Sequence, residues 1–198
     1  MLMLNINKNT HMTLKHIQPL LIIGIFFLFQ PGDYQLRLAL EYERTSILRG
    51  ELWRLFTANF IHLDVAHALM NALGIVVFYM FYGKQLNTMQ WIKLCILIPT
   101  GISLLLLFAF PQIIWFAGFS GALYGFIVCA SLLAWRRDKP EHLIVLTIIL
   151  IKLGMEQYYG SLSSALDIIS SLVLVEAHTA GAIIGVVVGI LMRWQAEK

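Results

Sequence analysis

The sequence predicts an all-α membrane protein, a bundle of six transmembrane helices with an interfacial first loop. Of its 198 residues, 59% are hydrophobic and only 13% are charged, whereas an average soluble domain has about 25% charged residues. Long apolar runs recur six times along the chain, and each predicts a helix that crosses the bilayer. The polar stretches are too short to fold separately, so we expect a polar tail at residues 1–13 and a single domain at residues 14–198.

The six apolar runs set the predicted spans. They cover residues 14–29, 65–81, 91–110, 120–135, 142–158 and 175–194. The fourth run is shorter than the roughly 20 residues that a helix needs to cross about 30 Å of hydrocarbon. Between the first two runs, residues 33–59 mix leucines with charged side chains. This stretch, called the first loop below, predicts a segment with an interfacial helix that lies on the membrane.

The distribution of lysine and arginine predicts the orientation. The connections at residues 111–119 and 160–174 contain neither residue, whereas the tails and the other short connections contain several. Only the first loop departs from this pattern, and its arginines are matched by acidic residues. Because short cytoplasmic loops are enriched in lysine and arginine, we expect both termini in the cytoplasm.

Three clusters of polar residues lie in or beside these apolar runs, where polar groups are costly. The first cluster has Ser120 between Gly118 and Gly121, at the start of the fourth span. A helix N-terminus offers free N–H groups and a positive dipole end, which can stabilise a developing oxyanion. The alternative interpretation is a helix-capping serine beside a packing glycine.

The second cluster contains His178, which is followed by glycines four residues apart on one face of the sixth span. Such glycines let another helix approach closely, and the fourth span carries a matching pair, Gly121 and Gly125. Contact between these faces would bring Ser120 and His178 within the roughly 2.6–3.2 Å of a nucleophile–base pair. The alternative is a histidine that only forms a hydrogen bond between helices.

The third cluster contains His67 and Asn71, which share one face of the second span, with His62 just before it. His67 and Asn71 can both donate hydrogen bonds, which suits the stabilisation of an anion. In the six-span topology, all three clusters lie at the outer side of the membrane. This convergence favours one functional site over three unrelated structural features.

Together these residues resemble the rhomboid proteases from Trp53 to near the C-terminus. The similar segments are Trp53-Arg54-Leu55-Phe56-Thr57 with His62, His67 and Asn71, then Gly118-Phe119-Ser120-Gly121 with Tyr124, and Ala177-His178 with Gly181 and Gly185. The resemblance implies an intramembrane serine endopeptidase in which Ser120 is the nucleophile and His178 the base, a dyad that requires no carboxylate. It also implies that His67, Asn71 and the Ser120 N–H line the oxyanion hole. Tyr124 is then expected to pack on His178.

The supporting glycines of this site would be Gly118, Gly121 and Gly181. The compact six-span form of the chain is similar to the rhombosortase branch of the family. So are the sequences of residues 53–62 and 175–182. That likeness implies a bacterial inner membrane protein whose substrates are surface proteins with a glycine-rich C-terminal anchor. The expected partners are therefore transmembrane protein substrates and the lipid bilayer, with no nucleic acid, metal or cofactor.

Three other functions compete with proteolysis. A catalytically inactive rhomboid-like protein would bind client helices without cutting them, but such relatives commonly lack the serine or the histidine. A transporter or haem-binding bundle using His67 and His178 is disfavoured, because the sequence offers no paired histidines at matching depth on facing helices and its hydropathy shows no inverted repeat. A zinc protease is disfavoured because the sequence contains no HExxH motif.

Other ionisable residues of the predicted spans have structural interpretations. Lys152 and Glu156 are four residues apart in the fifth span, so we expect them to pair with each other or to reach the interface. Glu176 lies close to His178 in sequence but points in a different direction on the helix. A role for Glu176 in orienting the base is therefore disfavoured.

Overall fold

The computed structural model of the protein describes residues 17–29, 34–135, 139–159 and 174–196. The predicted tail at residues 1–13 and most of the connection at 160–174 lie outside this part of the chain. The described residues form nine α-helices: α1 (Gln18–Leu28), α2 (Tyr34–Leu40), α3 (Arg44–Leu48), α4 (Arg54–Thr57), α5 (Val65–Phe81), α6 (Thr88–Ala109), α7 (Ser120–Ala134), α8 (Lys139–Tyr159) and α9 (Val175–Ala196). Two short strands, β1 (Tyr42–Glu43) and β2 (Trp115–Phe116), pair antiparallel.

Each predicted span corresponds to one helix, with small differences at the ends. The second span has the predicted bounds, and α6 begins three residues before the predicted third span. The earlier start follows from a capping box. Asn87 accepts a hydrogen bond from the Gln90 N–H at 2.9 Å, and the Gln90 side chain accepts one from the Asn87 N–H at 2.8 Å. This reciprocal pair satisfies two N–H groups that the helix leaves free.

By length and apolar composition alone, fewer than six of the described helices are able to cross a membrane. Thr88–Ala109 and Val175–Gln195 are each able to cross, and a third span exists if Arg54–Phe60 and Val65–Phe81 are one broken span, bent by 91°. Helices α1 and α7 are apolar but shorter. The chain therefore forms an all-α membrane protein, and the six-span count stays a prediction.

The first loop folds into the short helices α2, α3 and α4. Arg54, the first residue of α4, is buried, and its guanidinium donates hydrogen bonds to the carbonyls of Leu38 at 2.6 Å and Glu41 at 2.8 Å, and to the Glu51 carboxylate at 2.7 Å. The Thr57 hydroxyl donates to a further loop carbonyl at 2.6 Å. Loop carbonyls turned away from water need such donors, so these side chains hold the first loop in shape.

Glu43 caps helix α3. Its carboxylate accepts hydrogen bonds from the backbone N–H groups of Thr45 at 2.9 Å and Ser46 at 2.6 Å. Burial raises the pKa of Glu43, but the hydrogen bonds from Ser46 and Thr45 outweigh burial and lower that pKa to about 2. The carboxylate is therefore ionised at neutral pH and satisfies two N–H groups at the start of the helix.

The first loop also holds the connection that leads into α7. Tyr42 of β1 lies opposite Phe116 of β2, and the Gly118 N–H donates to the Ala58 carbonyl at 3.1 Å. Gly118 has a φ of +133°, a conformation that favours glycine. A Cβ at this position would also lie only 2.6 Å from the His67 ring. Glycine at this position therefore permits both the turn and the close approach of the ring.

Helix α7 lies at the centre of the bundle. It packs along its length against α9, and its other sides contact α5, α6 and α8. Glycines on α7 and α9 face each other. A Cβ at Gly185 would lie 2.5 Å from the Gly125 carbonyl oxygen, and a Cβ at Gly181 would overlap the Gly121 carbonyl oxygen. The two helix backbones are therefore in direct contact, which fixes the positions of the first residues of both helices.

Candidate active site

Ser120 and His178 meet at the end of this helix contact. Ser120 is the first residue of α7, and His178 lies in the first turn of α9. The distance between His178 Nε2 and Ser120 Oγ is 2.8 Å, within the range of a nucleophile–base pair. His178 is buried and Ser120 is partly exposed. The serine hydroxyl is therefore the part of the pair that a substrate can reach.

A carboxylate lies on the other side of the imidazole. Glu156 of α8 is buried, and its Oε2 is 2.7 Å from His178 Nδ1. An ionised carboxylate can only accept a hydrogen bond, so Nδ1 is the donor in this contact. In the neutral imidazole, Nε2 then keeps its lone pair and accepts the hydrogen bond from the Ser120 hydroxyl. Three side chains from three helices thus form one hydrogen-bonded row.

Tyr124 and Lys152 complete the surroundings of this row. The Tyr124 ring stacks on the His178 imidazole, with 4.6 Å between centroids and 22° between planes. Its hydroxyl donates a hydrogen bond to Glu156 Oε1 at 3.0 Å. Lys152 Nζ contacts both the Tyr124 hydroxyl and Glu156 Oε1. The imidazole is therefore held on one face by a ring and on its Nδ1 edge by a carboxylate.

His67 lies beside the connection that carries Ser120. Asp64 caps α5 by accepting the His67 N–H at 2.7 Å, and the His67 ring packs against Gly118. Asn71 is buried one turn further along α5 and donates through Nδ2 to the His67 carbonyl at 3.2 Å. His62 packs edge-on against the His67 ring, with 5.0 Å between ring centroids. The structure thus brings the His67 ring to the connection that carries Ser120, and the described contact of Asn71 is with the His67 carbonyl of its own helix.

The comparisons with known proteins bear on this arrangement. The family model of the rhomboid domain matches residues 49–195. The chain belongs to the rhomboid family. The match contains α4 through nearly all of α9, and with them all the residues of the site described above. A comparison with curated proteins gave no match.

The rhomboid family gives this site its chemical context. Its members are intramembrane serine proteases that act on transmembrane substrates within the bilayer, although inactive forms exist. Among the described residues, no group of three or more His, Cys, Asp or Glu side chains is placed to hold a metal ion. The side chains that meet at this rhomboid site offer a hydroxyl, an imidazole and a carboxylate.

Glu156 is the residue of this rhomboid site that sequence reasoning missed. Its spacing from Lys152 predicted that the two residues pair with each other or reach the interface, and the pair is present. The second carboxylate oxygen, however, reaches His178 on another helix. Glu176, which is close to His178 in sequence, is not the carboxylate in this contact. An ionisable residue in an apolar span is a candidate for function, and this was the signal that could have identified Glu156.

Proposed function

We propose that the protein is an intramembrane serine endopeptidase in which Ser120 is the nucleophile and His178 the general base. The 2.8 Å contact between Ser120 Oγ and His178 Nε2 is the observation that carries this proposal. As Oγ attacks the substrate carbonyl, its proton moves to Nε2, and the imidazolium then protonates the leaving amine. A water molecule hydrolyses the acyl-enzyme by the same proton transfers in the second half-reaction.

The oxyanion formed in this attack is assigned to the start of α7. Ser120 is the first residue of that helix, so its N–H belongs to the first turn, which lacks intrahelical acceptors. The positive end of the helix dipole lies at the same place. His67 and Asn71 are proposed as side-chain donors, and the packing of the His67 ring against Gly118 supports the assignment of His67. Oxyanion stabilisation of this kind contributes about 2.7–4 kcal/mol per donor.

The length of α7 supports a site below the membrane surface. The helix has 15 residues, which corresponds to about 22 Å, less than the roughly 30 Å of the hydrocarbon layer. In the proposed topology of six spans with both termini in the cytoplasm, Ser120 opens to the outer side. Water reaches the serine from there, and a substrate helix has to unwind to present its carbonyl.

The proposed substrates are surface proteins with a single C-terminal membrane anchor, as in the rhombosortase branch. Unwinding is the costly step for a helical substrate, and glycine lowers its cost by about 1 kcal/mol per residue relative to alanine. A glycine-rich segment at the outer end of the anchor therefore suits a serine that lies just below the surface. With substrates of this kind, the protein is located in a bacterial inner membrane.

We expect the protein to release a client of this type when the two are co-expressed, because the anchor can unwind at Ser120. The client would be a soluble reporter joined to a glycine-rich transmembrane anchor, and the new C-terminus of the released reporter would be mapped by mass spectrometry. The expected cut lies near the outer membrane boundary. A matched client in which alanine replaces the anchor glycines should be released several-fold more slowly.

Two controls make this experiment decisive. Ser120→Ala protein, expressed at the same level, should leave the client intact. Release that continues with Ser120→Ala, or a cut in a soluble loop far from the bilayer, would contradict the proposal.

A further inference from the structure

Glu156 has no place in a mechanism that needs only a serine and a histidine, yet its position is specific. The side chain is only 5% exposed, and its two oxygens have different partners. Oε1 accepts hydrogen bonds from Tyr124 and Lys152, whereas Oε2 contacts His178 Nδ1. The second contact joins α8 to α9 on the side of the imidazole opposite to Ser120.

We propose that Glu156 is a positioning residue for His178, so that the site works as a row of serine, histidine and glutamate instead of a dyad. This inference rests on the proposed protease function. The carboxylate holds the proton of the neutral imidazole on Nδ1 and directs the lone pair of Nε2 to Ser120. After Nε2 has taken the serine proton, the imidazolium lies between the carboxylate and the reacting oxygen. The Nδ1 proton stays on His178 throughout, and Glu156 remains ionised.

A role limited to pairing with Lys152 does not account for this geometry. The Lys152 side chain is 51% exposed, so an ion pair between the two residues could form at the helix surface, where it costs little. Glu156 is instead turned into the bundle, and burial of a carboxylate is costly unless hydrogen bonds satisfy both oxygens. The His178 Nδ1–H supplies the bond that Oε2 needs. Lys152 and Tyr124 then offset the charge on the other oxygen.

The other ionisable and polar groups around His178 leave this role to Glu156. Helix α7 contributes Ser120 and Tyr124, which contact Nε2 and the ring face. Helix α5 contributes His67, which packs against Gly118 and His62. Among the described side chains, Glu156 is the one whose carboxylate has a hydrogen bond to the imidazole.

The test compares purified full-length variants in proteoliposomes with a transmembrane substrate. For Glu156→Gln we expect kcat to fall at least about 100-fold while KM changes by less than about threefold, because the substrate does not touch this residue. Glu156→Asp keeps the carboxylate and should recover at least about tenfold of that loss. The matched control is Gln157→Ala, which removes a 2.9 Å hydrogen bond to Thr179 between the same two helices. It should leave kcat within about twofold.

In the same assay, Ser120→Ala tests the protease function separately from the positioning role of Glu156. If Ser120→Ala is inactive and Glu156→Gln keeps full kcat, the positioning role is wrong and the protease function stands. If Ser120→Ala stays active, the proposed function itself fails. A Glu156→Asp variant no more active than Glu156→Gln, or a Gln157→Ala variant with an equal loss, would also contradict the positioning role.

A measurement on the unaltered protein covers the case in which Glu156→Gln does not fold. Nitrogen-15 spectra of histidine-labelled protein distinguish the two imidazole tautomers, and the His178 signals are assigned by their absence in His178→Gln. The positioning role predicts a proton on Nδ1 of neutral His178. A proton on Nε2 would overturn it.

Discussion

Ser120→Ala and His178→Ala are each expected to reduce cleavage of a membrane-anchored substrate to background. Alanine at position 120 removes the oxygen that attacks, and alanine at position 178 removes the group that takes its proton at 2.8 Å. Losses of about 10⁴- to 10⁶-fold in kcat are typical when one member of such a unit is removed. The double variant should be no worse than either single variant, because the two side chains act together. Initial rates with a purified substrate measure all three.

Matched controls come from the opposite end of the same bundle. Ser131, the other serine of α7, is buried and contacts the Tyr82 hydroxyl at 2.9 Å, and His142 of α8 is a buried histidine that contacts the same hydroxyl at 3.4 Å. Ser131→Ala and His142→Ala should keep near-normal activity per folded molecule. Normal cleavage by Ser120→Ala, or an equal loss in the controls, would refute the assignment.

Gly181→Ala is expected to cause the second largest loss of cleavage activity, although the change adds only one methyl group. A Cβ at Gly181 would overlap the Gly121 carbonyl oxygen, so α7 and α9 have to move apart. Ser120 lies next to Gly121 on one helix, and His178 lies one turn before Gly181 on the other. A displacement of about 1 Å between reacting groups can cost about 100-fold in rate. Overpacking of this kind also destabilises the fold by about 1–3 kcal/mol.

The matched control for this prediction is Gly154→Ala on α8, where a new Cβ has nothing within 4 Å. Initial rates and thermal unfolding in detergent would be measured for both variants. Gly154→Ala should retain activity and stability. If Gly181→Ala behaved in the same way, direct backbone contact between α7 and α9 would not be what positions the serine and the histidine.

The contact between α7 and α9 was accessible from the sequence because it depends on spacing within each helix. Glycines four residues apart place a smooth face beside Ser120 and another beside His178. The second span, α5, was likewise predicted with its observed bounds, because one apolar run covers it. Features of this kind depend on residues that are close together in the sequence, so they can be predicted from it.

The proposed role of Glu156 could not be predicted from the sequence in the same way. Its nearest sequence signal is the spacing from Lys152, whereas its contact with His178 depends on how α8 is rotated against α9. That rotation is set by packing over the whole bundle, which no short pattern encodes. The hydrogen bonds of Arg54 to loop carbonyls are similar, since the carbonyl of Leu38 lies 16 residues away along the chain. The family motif identified Arg54, and only the structure gives its partners.

The central claim is that Ser120 is the nucleophile and that His178 activates it. The most direct test is to label the membrane-embedded protein with a fluorophosphonate, which reacts with activated serines, and to locate the adduct by mass spectrometry. We expect an adduct on Ser120 in the wild-type protein and labelling close to background in His178→Ala. An adduct on another serine, or labelling of Ser120 that is undiminished in His178→Ala, would contradict it.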